Sequence, residues 1–431
     1  MLDIDAKAYE TFLKMGVPRS LAPCHGDPTG LYVALNTVDP ETHTRTYAAS
    51  AYFEPIATRS NLLVLTTAYV HRIMTENDGS GEIRATGVEF SYGGEPAVHV
   101  ARTNREVIVS AGALKSPQIL ELSGIGRPDV LSKIGVPVKV ALDGVGENVQ
   151  EHQYIGVTYE VKAGASTETY DLLRDEKEAA KQLELYAKAE GIYMSGITNF
   201  VFMSLHDYTS KADAMYEAEK ARVIEGIRNN KYPPGLAEQY EIQLERLRNK
   251  RTGPEMAVVP GFLSAPKPPE PGKQYLTIVA AVNHNFSRGT IHTASSDPLA
   301  DPEMDPHYFE HDIDRQTFVA LIQYIRRVTQ TAPLSDFLGV ELNPGPECDT
   351  DEKLAAWIPQ GSGSTYHTAG SLSMLPREKN GVVDTSLKVY GTKNIRVVDL
   401  SIVPLHFAAH SQATVYAIAE QAADIIRGVS V

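Results

Sequence analysis

Cysteine is almost missing from this chain. Only Cys24 and Cys348 occur in 431 residues, which excludes a disulfide framework and a cysteine-rich metal site. Two buried free thiols are the expected state. Positive charge is also in deficit: the net charge is −14, with 40 basic against 54 acidic residues. A phosphate backbone needs basic patches, so nucleic acid is excluded as a partner, and nothing favours an anionic membrane surface. No stretch reaches the ~18 apolar residues of a membrane helix. The opening "MLDIDAKAYETFLKMG" has early acids and no apolar core, so it is not a secretory leader. It reads instead as a short amphipathic helix with Tyr9, Phe12 and Leu13 on one face.

What is present fits a soluble globular protein with a large core. At roughly 150 residues per domain the length predicts two or three domains. Hydrophobic content of 42% allows a sizeable core. "NLLVLTTAYVHRIM" (61–74) reads as a strand, and further strand-like runs follow to "REVIVSAGA". "LKSPQILELSGIG" reads as a helix ended by Gly124 and Gly126. From about 154 to 255 the composition turns charged and helical, and a solvated helical cap is expected. Strand signals return at "MAVVPGFL" and "QYLTIVAAVNHNF", and "RQTFVALIQYIRRVTQTA" is a helix.

The chemistry-bearing residues concentrate near the end of the chain. "STYHTAGSLSM" holds His367, and "VDLSIVPLHFAAHSQATVYAIAE" holds His406 and His410. A histidine has its proton affinity near working pH, which suits a general base, and a second donor can stabilise a developing alkoxide. His406 and His410 have the helical spacing of a metal pair, but the segment reads as a loop with no third ligand, so no metal is expected. Surface or structural roles are the leading expectation for His406. Tyr154, Phe200, Phe202 and Phe407 are candidates for an aromatic pocket, against a simpler role in the core.

The segment "GALKSPQILELSGIG" (112–126) resembles a signature of the glucose–methanol–choline (GMC) flavin oxidoreductases. "DGVGENVQEHQ" (143–153), "SRGTIHTASSDP" with "DPHYF", and the two histidine segments resemble further motifs of that family, in the same order. The resemblance runs over nearly the whole chain outside the charged helices. It is greatest to the fungal aryl-alcohol oxidase and glucose dehydrogenase types. It implies a mixed α/β and α+β fold: a partial, Rossmann-like FAD-binding domain over 1–153, a substrate domain with antiparallel sheet and helices over 154–360, and a C-terminal segment over 361–431 that returns to the first. It also implies FAD as cofactor and a small-molecule alcohol as substrate. His367 would be the base and His410 its hydrogen-bonding partner. Val70, Ala111, Gly112, Tyr366, Asp399, Gln412 and Ala413 would meet the cofactor, with the helix opened by Gln412 and Ala413 directing its dipole at the reduced flavin.

One family feature is missing from the pattern. The Gly-x-Gly-x-x-Gly turn that holds a dinucleotide pyrophosphate is not found; "GVGENV" and "GSGST" do not match it. The expectation is a chain that begins inside the family pattern, with a separate N-terminal half as a partner to consider. Two other readings therefore stay open: a non-redox lyase or cyclase using the same histidines, and an inactive truncated remnant. Full-length relatives are often secreted, but this sequence leaves localisation undetermined.

Overall fold

The computed structural model describes residues 1–77, 79–95, 97–165 and 167–429. Its largest element is an antiparallel sheet. The strand order is Gly30–Val33, Asn199–Phe202, Glu255–Val259, Tyr275–Val282, Gln153–Val161 and Leu338–Asn343, with Ser362–Ser364 also paired to Gln153–Val161. The helix Asp312–Thr329 lies against it. Its apolar residues fall at Phe318, Leu321, Ile322, Ile325 and Val328, one stripe at helical spacing, and all five are buried. Each such side chain contributes about 1.5–3 kcal/mol. Asp312 in the first turn and Arg326 and Arg327 in the last complement the helix dipole. Ile4, Ala8 and Phe12 of the first helix, Asp3–Lys14, and Leu354, Trp357 and Ile358 of Asp351–Gly361 complete this core.

A second core lies beneath a three-stranded antiparallel sheet, Ala68–Asn77, Ile83–Tyr92 and Val98–Arg102, and a parallel pair, Val107–Val109 with Ile395–Val397. Ile73, Val109, Leu120, Leu372, Val383 and Val397 are among its buried members. The parallel pair is only two strands wide among the described residues, and Ile108 is 45% exposed at its centre. The closing helix, Ser411–Arg427, buries only Ala422 fully although one face is apolar.

The two cores meet along 148–152, and several polar bonds hold that junction. Gln150 and Ala369 exchange backbone hydrogen bonds at 3.0 and 2.9 Å, and Val149 does the same with Gly289 at 2.9 Å. Asp314 accepts the N–H groups of Phe286 and Ser287, and Asn285 donates to the Glu151 carbonyl at 2.7 Å. His292 sits between Glu121 and Glu147, at 2.7 and 3.2 Å. Burial pulls its pKa down, but the two carboxylates outweigh burial and lift it to about 9.

Three expectations need correction. The 61–74 run does not extend throughout: the strand starts at Ala68, and 61–67 form turns and irregular backbone, with Leu63 almost fully exposed. The apolar, β-branched composition there resembles a strand, but no neighbouring strand is available to it. The region from 154 to 255 is not only a helical cap. It supplies Gln153–Val161 and Asn199–Phe202 to the middle of the large sheet. Both are buried on two faces, so they lack the alternation that marks a half-exposed strand. Finally, residues 1–33 do not join the second core: Gly30–Val33 pairs with Asn199–Phe202, and the first helix packs into the first core.

The first helix also carries a buried carboxyl. Burial pushes the Asp5 pKa up to about 7, against smaller lowering contributions from the Leu2 backbone and the N-terminal charge. Because the folded value exceeds the unfolded one, its contribution is complete below about pH 4 and is lost as pH rises toward about 7. The Asp5→Asn protein is expected to lack this decline, gaining up to about 4 kcal/mol relative to wild type between those limits. Urea unfolding at several pH values checks it; parallel curves for the two proteins would contradict it.

Candidate active site

The candidate site lies at the junction of the two cores. His367 follows Tyr366, whose backbone is held at φ +61°. The loop around it is gripped by two neighbours from the 148–152 segment. Glu151 accepts the His367 N–H at 2.8 Å and the Thr368 hydroxyl at 2.7 Å. The His152 carbonyl accepts the N–H and hydroxyl of Thr365 at 3.1 and 2.9 Å. The Nδ1 atoms of His152 and His367 are 3.0 Å apart.

His406 packs beneath this pair. It is 4% exposed and stacks on His152, with ring centroids 3.6 Å apart. Its Nδ1 accepts the Phe407 N–H at 3.0 Å and its Nε2 donates to the His367 carbonyl at 2.7 Å, so both nitrogens are used by the neutral ring. Burial is the main cause that drops its pKa to about 4. The structural expectation for His406 agrees with this geometry.

His410 immediately precedes the Ser411–Arg427 helix, and its ring centroid is 5.8 Å from that of His367. Its Nε2 bonds to Glu255 at 2.9 Å. Glu255 is buried and also accepts from Asn283 at 2.8 Å. The two histidines are tuned in opposite directions. For His410, burial pulls the pKa down, but the bond and charge of Glu255 outweigh it and leave it raised. For His367, burial and then the His410 charge lower it, against a smaller pull from Glu255. The pair therefore combines one histidine whose proton affinity is lowered with one whose affinity is raised. Phe200 stands edge-on to His410 at 4.8 Å, with Tyr32 stacked on Phe200 at 6.1 Å.

The sequence reading did not single out Glu255, His152 or Glu151. Glu255 had a signal: an acid opening an otherwise apolar strand that is buried along its length. His152 and Glu151 lie inside the quoted "DGVGENVQEHQ" segment, but nothing in spacing alone shows that they face His367.

The expected cofactor residues fall into groups. Ala111, Gly112 and Asp399 form one cluster. Asp399 accepts the Gly112 N–H at 3.0 Å, the Ser116 hydroxyl at 2.6 Å and the Ser401 N–H at 2.8 Å, and Ser116 accepts the Ala111 N–H at 3.0 Å. The carboxylate of Asp399 thus ties the start of the Gly112–Leu122 helix to the chain after Ile395–Val397. Gly112 has φ +78° with open space where a side chain would stand. Gln412 and Ala413 lie in the first turn of Ser411–Arg427, and Gln412 accepts from Thr37 at 3.2 Å. Tyr366 is 92% exposed, so its ring faces solvent. Val70 lies near the start of Ala68–Asn77 and pairs with Phe90; it does not end a strand.

These residues fit one end of a flavin cofactor: an open glycine face, an exposed tyrosine and a helix N-terminus beside the histidine pair. They include no phosphate cradle among the described residues. The Gly144–Gly146 turn is packed on protein, since a side chain at Gly144 would strike the Asn380 carbonyl and one at Gly146 the Ile291 carbonyl. Gly361 and Gly363 abut the rings of Trp357 and Tyr154.

Two family models, both described as GMC oxidoreductase, match residues 14–154 and 285–419. The chain belongs to the GMC oxidoreductase family. A GMC oxidoreductase family protein of Malassezia sympodialis, Mala s 12, is 34% identical over 414 residues, 94% of this chain and 62% of its own length. The dehydrogenase mpl7 of Monascus purpureus is 32% identical over 430 residues, covering 95% and 68%. Among solved structures, an FAD-dependent oxidoreductase from Chaetomium thermophilum aligns with TM-score 0.86 and 25% identity, over 98% of this chain and 72% of that one. A fungal aryl-alcohol oxidase aligns with TM-score 0.84 and 28% identity, over 97% and 69%. The GMC chain described here thus spans less than two thirds of its Malassezia relative.

The grip on the His367 loop can be tested directly. In Glu151→Ala the part-buried His367 N–H loses its acceptor, and that amide should exchange with solvent at least about tenfold faster, equivalent to about 1.4 kcal/mol. Hydrogen exchange read by mass spectrometry on peptides spanning 364–370 checks this; unchanged exchange would show that Glu151 does not hold the loop.

Proposed function

We propose that this chain carries the substrate-side half of an FAD-dependent alcohol oxidase or dehydrogenase site. The observation that supports it most is the pair of facing histidines with opposed proton affinities. His367, neutral near pH 7, accepts the hydroxyl proton of the alcohol. His410, its proton affinity raised by Glu255, donates a hydrogen bond to the same oxygen as negative charge develops on it. FAD, when bound, supplies the acceptor for the hydride leaving the carbinol carbon, and an aldehyde or ketone results. In this reading Gly112, Tyr366, Gln412 and Ala413 are the residues of this chain that would meet it. Phe200 and Tyr32, beside His410, favour an alcohol carried on an aromatic or other flat apolar group.

The remaining cofactor contacts come, in this reading, from the half of the site that carries the phosphate-binding turn, which would cover the open edge at Ile108 and the apolar face of Ser411–Arg427. The test is gel filtration of the chain with FAD, alone and with that half supplied, followed by an absorbance spectrum and an alcohol screen. Co-eluting flavin and alcohol-dependent turnover are expected with both halves present. His367→Ala should reduce that turnover by about 10²–10⁴-fold. Turnover that survives His367→Ala would contradict the assignment of the base, and turnover without flavin would favour the lyase or cyclase reading.

A further inference from the structure

The helices Ala212–Arg228 and Leu236–Arg248 share with the junction a cavity of about 550 Å³, which neither His367 nor His410 lines. That size suits a small-molecule site. Three buried polar side chains on its wall are short of partners. Tyr240 is 2% exposed. Its ring is covered by Tyr232 at 5.0 Å, His311 at 5.1 Å, the Arg288 guanidinium at 5.6 Å and Phe286 at 5.8 Å. The hydroxyl is what remains to reach the cavity, and it bonds to no described residue. Gln239 is 5% exposed, and its side chain makes no hydrogen bond among the described residues. Arg288 is 7% exposed; it gives its Nε to Asn148 at 3.1 Å and its Nη1 to the carbonyls of Asn285, Phe286 and Ser287. Its Nη2 carries two hydrogens, and Gln243 at 2.8 Å takes one of them.

The charges around the cavity do not cancel. Glu147 is held by Arg127 and His292, Glu310 stands 3.6 Å from His307, and Lys379 pairs with Glu238. Arg222 and Lys231 line the cavity from exposed positions and form no ion pair among the described residues. No described carboxylate pairs with Arg288 either. Among the described lining residues this leaves Glu225 against three cations. A buried guanidinium without a counter-charge is costly, and an anion in the cavity would offset that cost. The donors select its type. One oxygen of a carboxylate suits the spare Arg288 Nη2–H and the other the Tyr240 hydroxyl. A phosphate group, with three free oxygens and nearly twice the charge, asks for more donors than these. Leu236 and Leu375 on the same wall suit a hydrocarbon body.

We propose that this cavity is a second ligand site, separate from the histidine pair, which takes a small organic carboxylate on Arg288 and Tyr240, with Arg222 and Lys231 drawing the anion in. The site does not depend on the redox reading and is tested without cofactor or turnover. The probe is 4-fluorobenzoate, titrated into the full chain and followed by ¹⁹F NMR, with neutral 4-fluorobenzamide as its uncharged match. Saturable binding of the carboxylate is expected, with the amide at least about tenfold weaker. Tyr240→Phe removes only an unpartnered hydroxyl and should weaken the carboxylate about tenfold. Arg222→Gln, at an exposed position, should weaken it by up to about fivefold. His410→Gln should leave the affinity unchanged. Equal binding of acid and amide would overturn the proposal, as would an affinity that Tyr240→Phe does not alter. Binding lost in His410→Gln would place the anion at the histidine pair and overturn it too, and phenyl phosphate binding more tightly than the carboxylate would overturn the choice of anion.

Discussion

A buried carboxylate joins the two cores of this molecule. Glu151 lies in the short segment where they meet, and it accepts the backbone of His367 and the side chain of Thr368 from the opposite strand of the junction. Burial raises its proton affinity, and the hydrogen bonds it accepts work against that rise. The histidine next to it meets the ring of His367, so one dipeptide fixes both the path and the orientation of the loop. The large sheet then brings Glu255 to His410 from the other side. The site is thus assembled from three distant parts of the chain, each anchored in a core that is already packed.

How much of this was legible in the sequence depends on the kind of information. The motif around Gly112 and the histidine segments gave the family, and the charged helices and the Asp312–Thr329 helix could be read from their periodicity. Gln153–Val161 and Asn199–Phe202 could not, because strands buried on both faces have no period to read. The pairing of Gly30–Val33 could not be read either, because its partner lies about 170 residues further along and register carries no local mark. His367 and His410 were legible as a pair from the motifs. Their opposed electrostatics were not, since these arise from Glu255 and from burial, which only the fold supplies. Asp399 was read as a cofactor residue; in the structure its carboxylate is occupied with Gly112, Ser116 and Ser401.

The two sides of the site differ in completeness. On the His410 side, Phe200, Tyr32 and Glu255 form a packed wall. On the other side, Gly112, Tyr366 and a two-stranded parallel pair face open space among the described residues. The polar network around His367 does not depend on that open face, because every bond in it is made between described residues of the two cores. The histidine geometry is therefore a property of this chain by itself, which is why it can be measured without cofactor.

The central claim is that the proton affinities of the two histidines are shifted in opposite directions. The direct measurement is a pH titration of the His367 and His410 ring signals by NMR in the unmodified chain. The account predicts two separated midpoints, His410 above the ordinary histidine value of about 6.5 and His367 below it. Coincident midpoints, or His367 titrating above His410, would contradict it.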